Sequence, residues 1–221
     1  MDHESHRKPL ILRSNAYATT YLSLMQDVQN LLVAHPAQGG SPGRPAGDTG
    51  PLLRSAIVLL HTAWENYVEQ VAVEGLDGLL KRIGSDHTKL PHRLRSELGT
   101  VKNPWALAGD GWKSEARAAV EREANRLNTP NVSNTQKLLD LAIGLPTVLR
   151  SVSWRGASNQ KVLDNLDEFV HNIRGEIVHK GTTSGPLHKG GVEGWINFFN
   201  RLVSQIDSTI LDHDRLHSNR T

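Results

Sequence analysis

Residues 52 to 83, LLRSAIVLLHTAWENYVEQVAVEGLDGLLKRI, restrict the possible folds of this chain more than any other stretch. Ile57, Leu60, Trp64, Tyr67, Val68 and Val71 recur at the three- and four-residue spacing of a helix face, and neighbouring positions are apolar too. A surface helix needs a single apolar stripe, whereas a helix that is apolar on several sides must be surrounded by other elements. The segment is therefore expected at the centre of a helical bundle.

The remaining segments supply its neighbours. From about Asn15 to Ala34, Tyr21, Leu22, Met25, Val28, Leu31 and Leu32 mark a first amphipathic helix. Residues 35–51, HPAQGGSPGRPAGDTGP, collect glycine, proline and small polar residues and read as a flexible loop. No Gly-Lys-Ser or Gly-Lys-Thr follows these glycines and no strand precedes them, so they do not form a phosphate-binding loop. Between 85 and 134, HRLRSEL and WKSEARAAVEREANRL are expected as shorter, more exposed helices on either side of GTVKNPWALAGDG. NVSNTQKLLDLAIGL offers a Ser or Asn cap and an amphipathic turn or two.

The segment SNQKVLDNLDEFVHNIRGEIVHKG, 158–181, is clearer: Val162, Leu166, Phe169, Ile173 and Ile177 form one stripe, and Gly181 stands where a C-cap glycine belongs. After TTSGPLHKGG, a last helix carries Val192, Trp195, Phe199, Leu202, Ile206 and Ile210 before fraying into HDRLHSNRT. No bounded segment alternates as a strand, and no internal repeat is visible. The expected fold class is all-α, a bundle with a long central helix and a motif-bearing C-terminal helix pair. It would form a single domain over 15–215, between polar tails at 1–14 and 216–221.

Charge says little about partners, because 25 Lys and Arg stand against 23 Asp and Glu and no block of like charge dominates a segment. The absence of cysteine removes disulfides, thiolate nucleophiles and every zinc site that needs sulfur, and it suits a cytoplasmic protein. The start, MDHESHRKPLILRSN, lacks the apolar run of a signal peptide. The longest apolar stretch, AIVLL, is far short of the roughly 20 residues that span a bilayer. A cytoplasmic protein with no membrane contact is expected.

The chemistry concentrates in HNIRGEIVHKG, residues 171 to 181, where Arg174, Glu176 and His179 lie within six positions at the end of an otherwise buried helix. Ionisable groups are costly there unless paired or used. A guanidinium offers a planar fork of donors to a phosphate, and an imidazole carries a proton near neutral pH. Those are the requirements of metal-independent RNA cleavage, in which a 2′-oxygen attacks the adjacent phosphorus. On an ideal helix Arg174 and His179 lie about 140° apart, so one straight helix would not aim both at a single point. Side-chain reach or a second copy of the chain would have to help. The competing reading has Arg174 paired with Asp167 or Glu168 at a solvated helix end and His179 as a capping residue.

A second group lies on the long helix, where Arg54, His61 and Glu65 fall within about 40° of one another. They read either as intrahelical contacts worth a few tenths of a kcal/mol, or as a device in which Glu65 reaches the motif helix and fixes a buried Arg174. The tryptophans at 64, 105, 112, 154 and 195 are all capable of stacking bases; Trp64 and Trp195 sit on apolar stripes and read as core, and Trp154 in SVSWRGASNQ is the freer candidate. The terminal LDHDRLH reads as a solvated helix end, and no metal site or cofactor is expected.

An arginine, four residues and then a histidine near the end of a C-terminal helix resembles the signature of the HEPN superfamily. Together, SAIVLLHTAWENYVEQV and NLDEFVHNIRGEIVHKG are most similar to its RiboL-PSP-HEPN branch, over roughly residues 50 to 210. The resemblance implies a metal-independent endoribonuclease, a toxin or antiviral defence effector, that dimerises so that two motifs face one cleft. It assigns Arg174 to phosphate binding and His179 to proton transfer, with Glu176 in support and an acidic residue on the long helix, here Glu65. RNA, a second copy of the chain and an antitoxin or defence-system protein are the implied partners. Many members carry a polar residue directly after the arginine, whereas this chain has Gly175. That departure keeps open a catalytically silent module that binds RNA, a nucleotide or a partner protein.

Overall fold

Helix α2 (Gly50–Ile83) runs for about 51 Å at 1.5 Å per residue, and the other elements are arranged around it. The computed structural model describes residues 13–35, 50–183 and 187–218, with side chains through residue 213. Adjacent residues of α2 are buried in pairs, among them Ala56 with Ile57, Ala63 with Trp64, Tyr67 with Val68, Val71 with Ala72 and Leu79 with Leu80. Neighbours on a helix point about 100° apart, so such pairs need covering from more than one side. The cover comes from α1 (Leu22–Ala34), α4 (Gly111–Ala124), α5 (Val132–Ile143), α7 (Arg174–Lys180) and α8 (Lys189–Ser218), each of which packs on α2. Helix α3 (His92–Leu98) packs on α4 and α5. Helix α6 (Asn159–Glu168) leads into α7. Among the described residues there is no strand, and the β pairing present is an isolated bridge between Trp154 and Ala157. The chain is the all-α bundle that its periodicity implies.

Aromatic contacts join the layers. Trp64 and Tyr67 of α2 lie 6.1 Å apart, Trp64 lies 5.9 Å from Phe199 of α8, and Phe199 lies 4.7 Å edge-to-face from Phe169. Tyr21 adds the other end, 6.0 Å from Tyr67. The Trp64 indole N–H donates to the Pro130 carbonyl at 2.7 Å, which fixes the approach to α5. Asn131 then caps α5 through the Asn134 amide, and Gly144 ends it in the left-handed conformation at φ 70°. Helix α5 has 12 residues, about three turns, longer than the turn or two expected.

The segment from 158 to 181 is not one regular helix. Its middle, Phe169–Ile173, is a π-turn, and the Arg174 amide donates to the Phe169 carbonyl five residues back. A π-turn rotates the helix on its C-terminal side relative to the helix on its N-terminal side. Phe169 and Val170 are both buried there, while Ile173 of the expected stripe is only half-buried. Gly181 ends the segment at φ 69°, as its position suggests. The last helix continues to Ser218, beyond the point where polar composition suggests fraying.

Among the described residues, contacts with the bundle are already made two residues before the expected helix start. Asp207 of α8 is fully buried, and it accepts hydrogen bonds from the Ser14 hydroxyl, from the Ser14 amide at 3.3 Å and from the Tyr67 hydroxyl at 3.4 Å. Arg13 lies 3.7 Å from the same carboxylate and donates to the Ser204 carbonyl and the Ser204 hydroxyl, at 2.9 and 2.8 Å. Arg13 and Ser14, placed by composition in a polar tail over 1–14, are thus anchors, because an aspartate in the core requires partners. Residues 1–12, 36–49 within the expected loop, and the last part of the tail at 216–221 lie outside the described residues.

Replacing Arg13 with Met should therefore cost about 3 kcal/mol, since it strips a buried carboxylate of its cation. Asp207→Asn should cost less, because a neutral amide oxygen still accepts from Ser14 and Tyr67. Urea denaturation of the two variants checks the order.

Candidate functional site

The lead-in to helix α7, the end of α6 and the π-turn, is held by α5 on one side and α8 on the other. Asp167 accepts from the Val132 amide at 2.9 Å, at the first turn of α5. The Asn131 side-chain amide lies 3.0 Å from His171 Nε2, and because the Asn131 oxygen is already taken by the Asn134 amide, the imidazole nitrogen is the acceptor. Phe169 is fully buried at the start of the π-turn, against Trp195 at 5.1 Å and against Phe199. Asp167 is thus committed to α5 and forms no ion pair with Arg174.

Arg174 is half-buried and faces α2. Its charge acts on two residues there, His61 and Glu65. His61 is 1% exposed, and burial together with the Arg174 charge pushes its pKa down to about 4. The imidazole is neutral at neutral pH. Its Nδ1 lies 3.8 Å from a Glu65 oxygen, too far for a hydrogen bond and, with only one of the two ring nitrogens protonated, not an ion pair. Burial raises the Glu65 pKa, and the Arg174 charge opposes that rise.

Two atoms in this cluster, Arg174 Nε and His61 Nε2, are buried with no hydrogen-bond partner. With the ring proton on Nδ1, toward Glu65, they are a donor and an acceptor left unmatched. Each such atom costs about 1–3 kcal/mol. Native structures tolerate that cost where a group serves chemistry or waits for a partner.

The other sequence candidates lie apart from this cluster. His179 is exposed, five residues and about 7.5 Å along the axis from Arg174, and about 140° around it. Glu176 is half-buried, and its Oε1 lies 3.3 Å from Lys180 Nζ. Arg54 lines an open, largely apolar cleft of about 520 Å³ with Leu31, Pro51, Ser55, Val58, Leu59, Thr62 and Ile177. One chain therefore gathers Arg174, His61 and Glu65, places Arg54 in the neighbouring cleft, and leaves His179 facing outward. Gly175 has room for a side chain, since a Cβ would meet only the Val170 carbonyl, at an ordinary 3.7 Å.

Sequence reasoning misses Glu69 and ranks Trp105 below Trp154. Glu69, one turn beyond Glu65, has its pKa pushed up to about 7, first by burial and then by the Glu65 charge; the four-residue spacing of the two glutamates is the signal that could have found it. Trp105 is 84% exposed, whereas Trp154 is half-buried, edge-on to Phe198 at 5.8 Å. The freer tryptophan is Trp105. Among the described residues no three His, Cys, Asp or Glu gather as metal ligands, and no helix is long and apolar enough to cross a membrane.

His61 makes a pH prediction. Its folded pKa of about 4 lies below the ordinary 6.5, so the unfolded chain binds the extra proton first and stability falls as pH drops from 6.5 toward 4. The raised pKa of Glu69 acts in the opposite sense, so the comparison must be made against a variant. Relative to His61→Gln, the wild type should lose up to about 3 kcal/mol between pH 7 and 4, read from urea midpoints.

The RiboL-PSP-HEPN family model matches residues 21–212. No curated protein and no solved structure matches. The match takes in α2 with His61 and Glu65, the π-turn and the whole of α7. The helical bundle, the charged cluster between α2 and α7 and a family match over most of the length agree: the chain belongs to the RiboL-PSP-HEPN family.

Proposed function

We propose that the protein is a metal-independent endoribonuclease, a toxin or antiviral defence effector, whose site is completed across a homodimer. The observation that carries this reading is the Arg174 guanidinium, with a buried, unmatched donor, set against a neutral imidazole and a carboxylate on α2. Family membership supports RNA as the substrate. In the reaction a base takes the proton of a ribose 2′-hydroxyl and the freed oxygen attacks the adjacent phosphorus. The bond from phosphorus to the 5′-oxygen breaks, leaving a 2′,3′-cyclic phosphate and a 5′-hydroxyl. Arg174 neutralises the charge that builds on the phosphoryl oxygens, and His179 delivers the proton to the departing oxygen. Glu65 and His61 orient the guanidinium, and Arg54 and Glu176 flank the path of the strand. His179 points away from Arg174 of its own chain, which is why the reading needs Arg174 of one subunit beside His179 of the other.

The second reading is a silent member of the family that holds RNA, a nucleotide or a partner protein in the same place. Gly175, at the position where many relatives carry a polar side chain, favours it.

Purified protein should cleave total RNA in the presence of EDTA. His179→Ala should lower the rate by at least about a hundredfold without loss of fold. Arg174→Ala and His179→Ala proteins, each inactive, should regain about a quarter of wild-type activity when mixed and allowed to exchange subunits, because only heterodimers rebuild one intact site. Binding without products in the wild type, together with cleavage gained by Gly175→Asn, would select the silent module. A mixture that stays inactive would remove the composite site.

A further inference from the structure

The far end of α2 concentrates the positive charge that the chain as a whole lacks. Residues 81–113 hold seven Lys and Arg against three Asp and Glu, a net of +4, which leaves 18 cations and 20 anions, a net of −2, on the rest of the chain. Several of these cations are engaged: Lys89 with Asp86 at 3.7 Å, Arg93 with Asp140 at 3.7 Å and Lys113 with Asp110 at 3.0 Å. Arg95 and Lys102 are exposed and have no carboxylate partner among the described residues. Arg95 lies in the last turn of α3, and Lys102 immediately follows the turn that ends it, where the Val101 amide donates to the Leu98 carbonyl. The unpaired anion of this lobe, Glu97, sits about 200° around α3 from Arg95.

Three residues after Lys102 comes Trp105, in the 3₁₀ segment Pro104–Leu107. Its backbone is fixed. The Asn103 side chain accepts from the Trp105 amide at 3.2 Å, and the Trp105 carbonyl accepts from the Ala108 amide at 3.1 Å. Gly111 closes the loop so tightly that a Cβ there would fall 2.2 Å from the Ala106 carbonyl oxygen. The indole is therefore held out in water by a rigid turn. A protein partner would call for a contiguous apolar patch, yet among the described residues the other large exposed apolar side chains, Leu22, Val33 and Val178, lie on α1 and α7. An exposed π-face in the same short stretch as two exposed cations suits a nucleobase and its neighbouring phosphates.

We propose that Trp105, Arg95 and Lys102 form a second contact for single-stranded RNA, remote from Arg174 and tolerant of sequence. The proposal rests on RNA being the substrate. His87 packs 6.2 Å from Trp112, which places the Trp105 loop just past the C-terminal end of α2. Glu65 to Ile83 alone spans about 27 Å along that helix, so a strand held here reaches the motif only if it is long. The contact selects extended, unpaired RNA over short fragments and retains a substrate near the site that cuts it.

The test uses the whole protein and 2′-O-methyl oligouridine of about 20 nucleotides, whose blocked 2′-oxygen prevents cleavage. Trp105→Ala should raise Kd about tenfold, and Trp105→Phe should recover most of the loss. Replacing Arg95 and Lys102 with Gln should lower the slope of log affinity against log salt by about 1.4, roughly 0.7 for each phosphate contact. All three side chains are exposed, so the fold, checked by circular dichroism, should not change. A change in Kd below about twofold for Trp105→Ala, or no binding of the oligonucleotide at all, overturns the proposal. Cleavage of total RNA is read separately: Trp105-dependent binding without cleavage keeps this contact and removes the nuclease reading, and cleavage with Trp105-independent binding does the reverse.

Discussion

The structure depends on burying more than one side of a single 34-residue helix. A fully buried Leu, Ile, Phe or Val gains about 1.5–3 kcal/mol over an exposed one. Helix α2 collects that gain along most of its length, but only if other helices reach it from several directions. Their placement, and with it the placement of Arg174 and the charged residues around it, comes from the surface that α2 presents. The aromatic contacts among Trp64, Tyr67, Phe169 and Phe199 make that dependence concrete, because they connect the centre of α2, through Phe199 of α8, to the turn that precedes Arg174.

Burial on this scale determines what chemistry its polar residues can perform. His61 lies so deep, and so near a guanidinium, that it stays uncharged at neutral pH. It is thereby unsuited to carrying a proton and suited to sitting beside a cation without repelling it. Glu65 experiences opposing influences, desolvation against the same guanidinium. Two histidines on adjoining helices thus have opposite settings, His61 sealed and His179 in solvent. The division is a consequence of depth, not of residue type.

Much of the architecture was legible from periodicity. Apolar doublets along 52–83 require a surrounded helix, and Gly181 marks a helix end because only glycine adopts that backbone cheaply. The proximity of Glu65 to Arg174 was also open to helical arithmetic combined with family resemblance. Other features were not legible, for physical reasons. A π-turn at Phe169–Ile173 has no residue signature and emerges only from packing on two sides. Arg13 and Ser14 look like tail residues because their partner, Asp207, is far away in sequence and resembles any polar position on an exposed face. Trp105 and Trp154 both lie in loops of similar composition, and the difference in exposure arises from Phe198, which composition cannot bring to one and not the other. The unmatched atoms of Arg174 and His61 are likewise visible only once two helices are laid together.

The clasp between Ser14 and Asp207 joins positions 193 residues apart. During synthesis the amino end leaves the ribosome long before its acceptor exists, at roughly 5–20 residues per second. Until then, the Ser14 hydroxyl and Tyr67 have only water to bond with, and the first helices lack their final cover. Closure of the clasp therefore has to wait until α8 has been made.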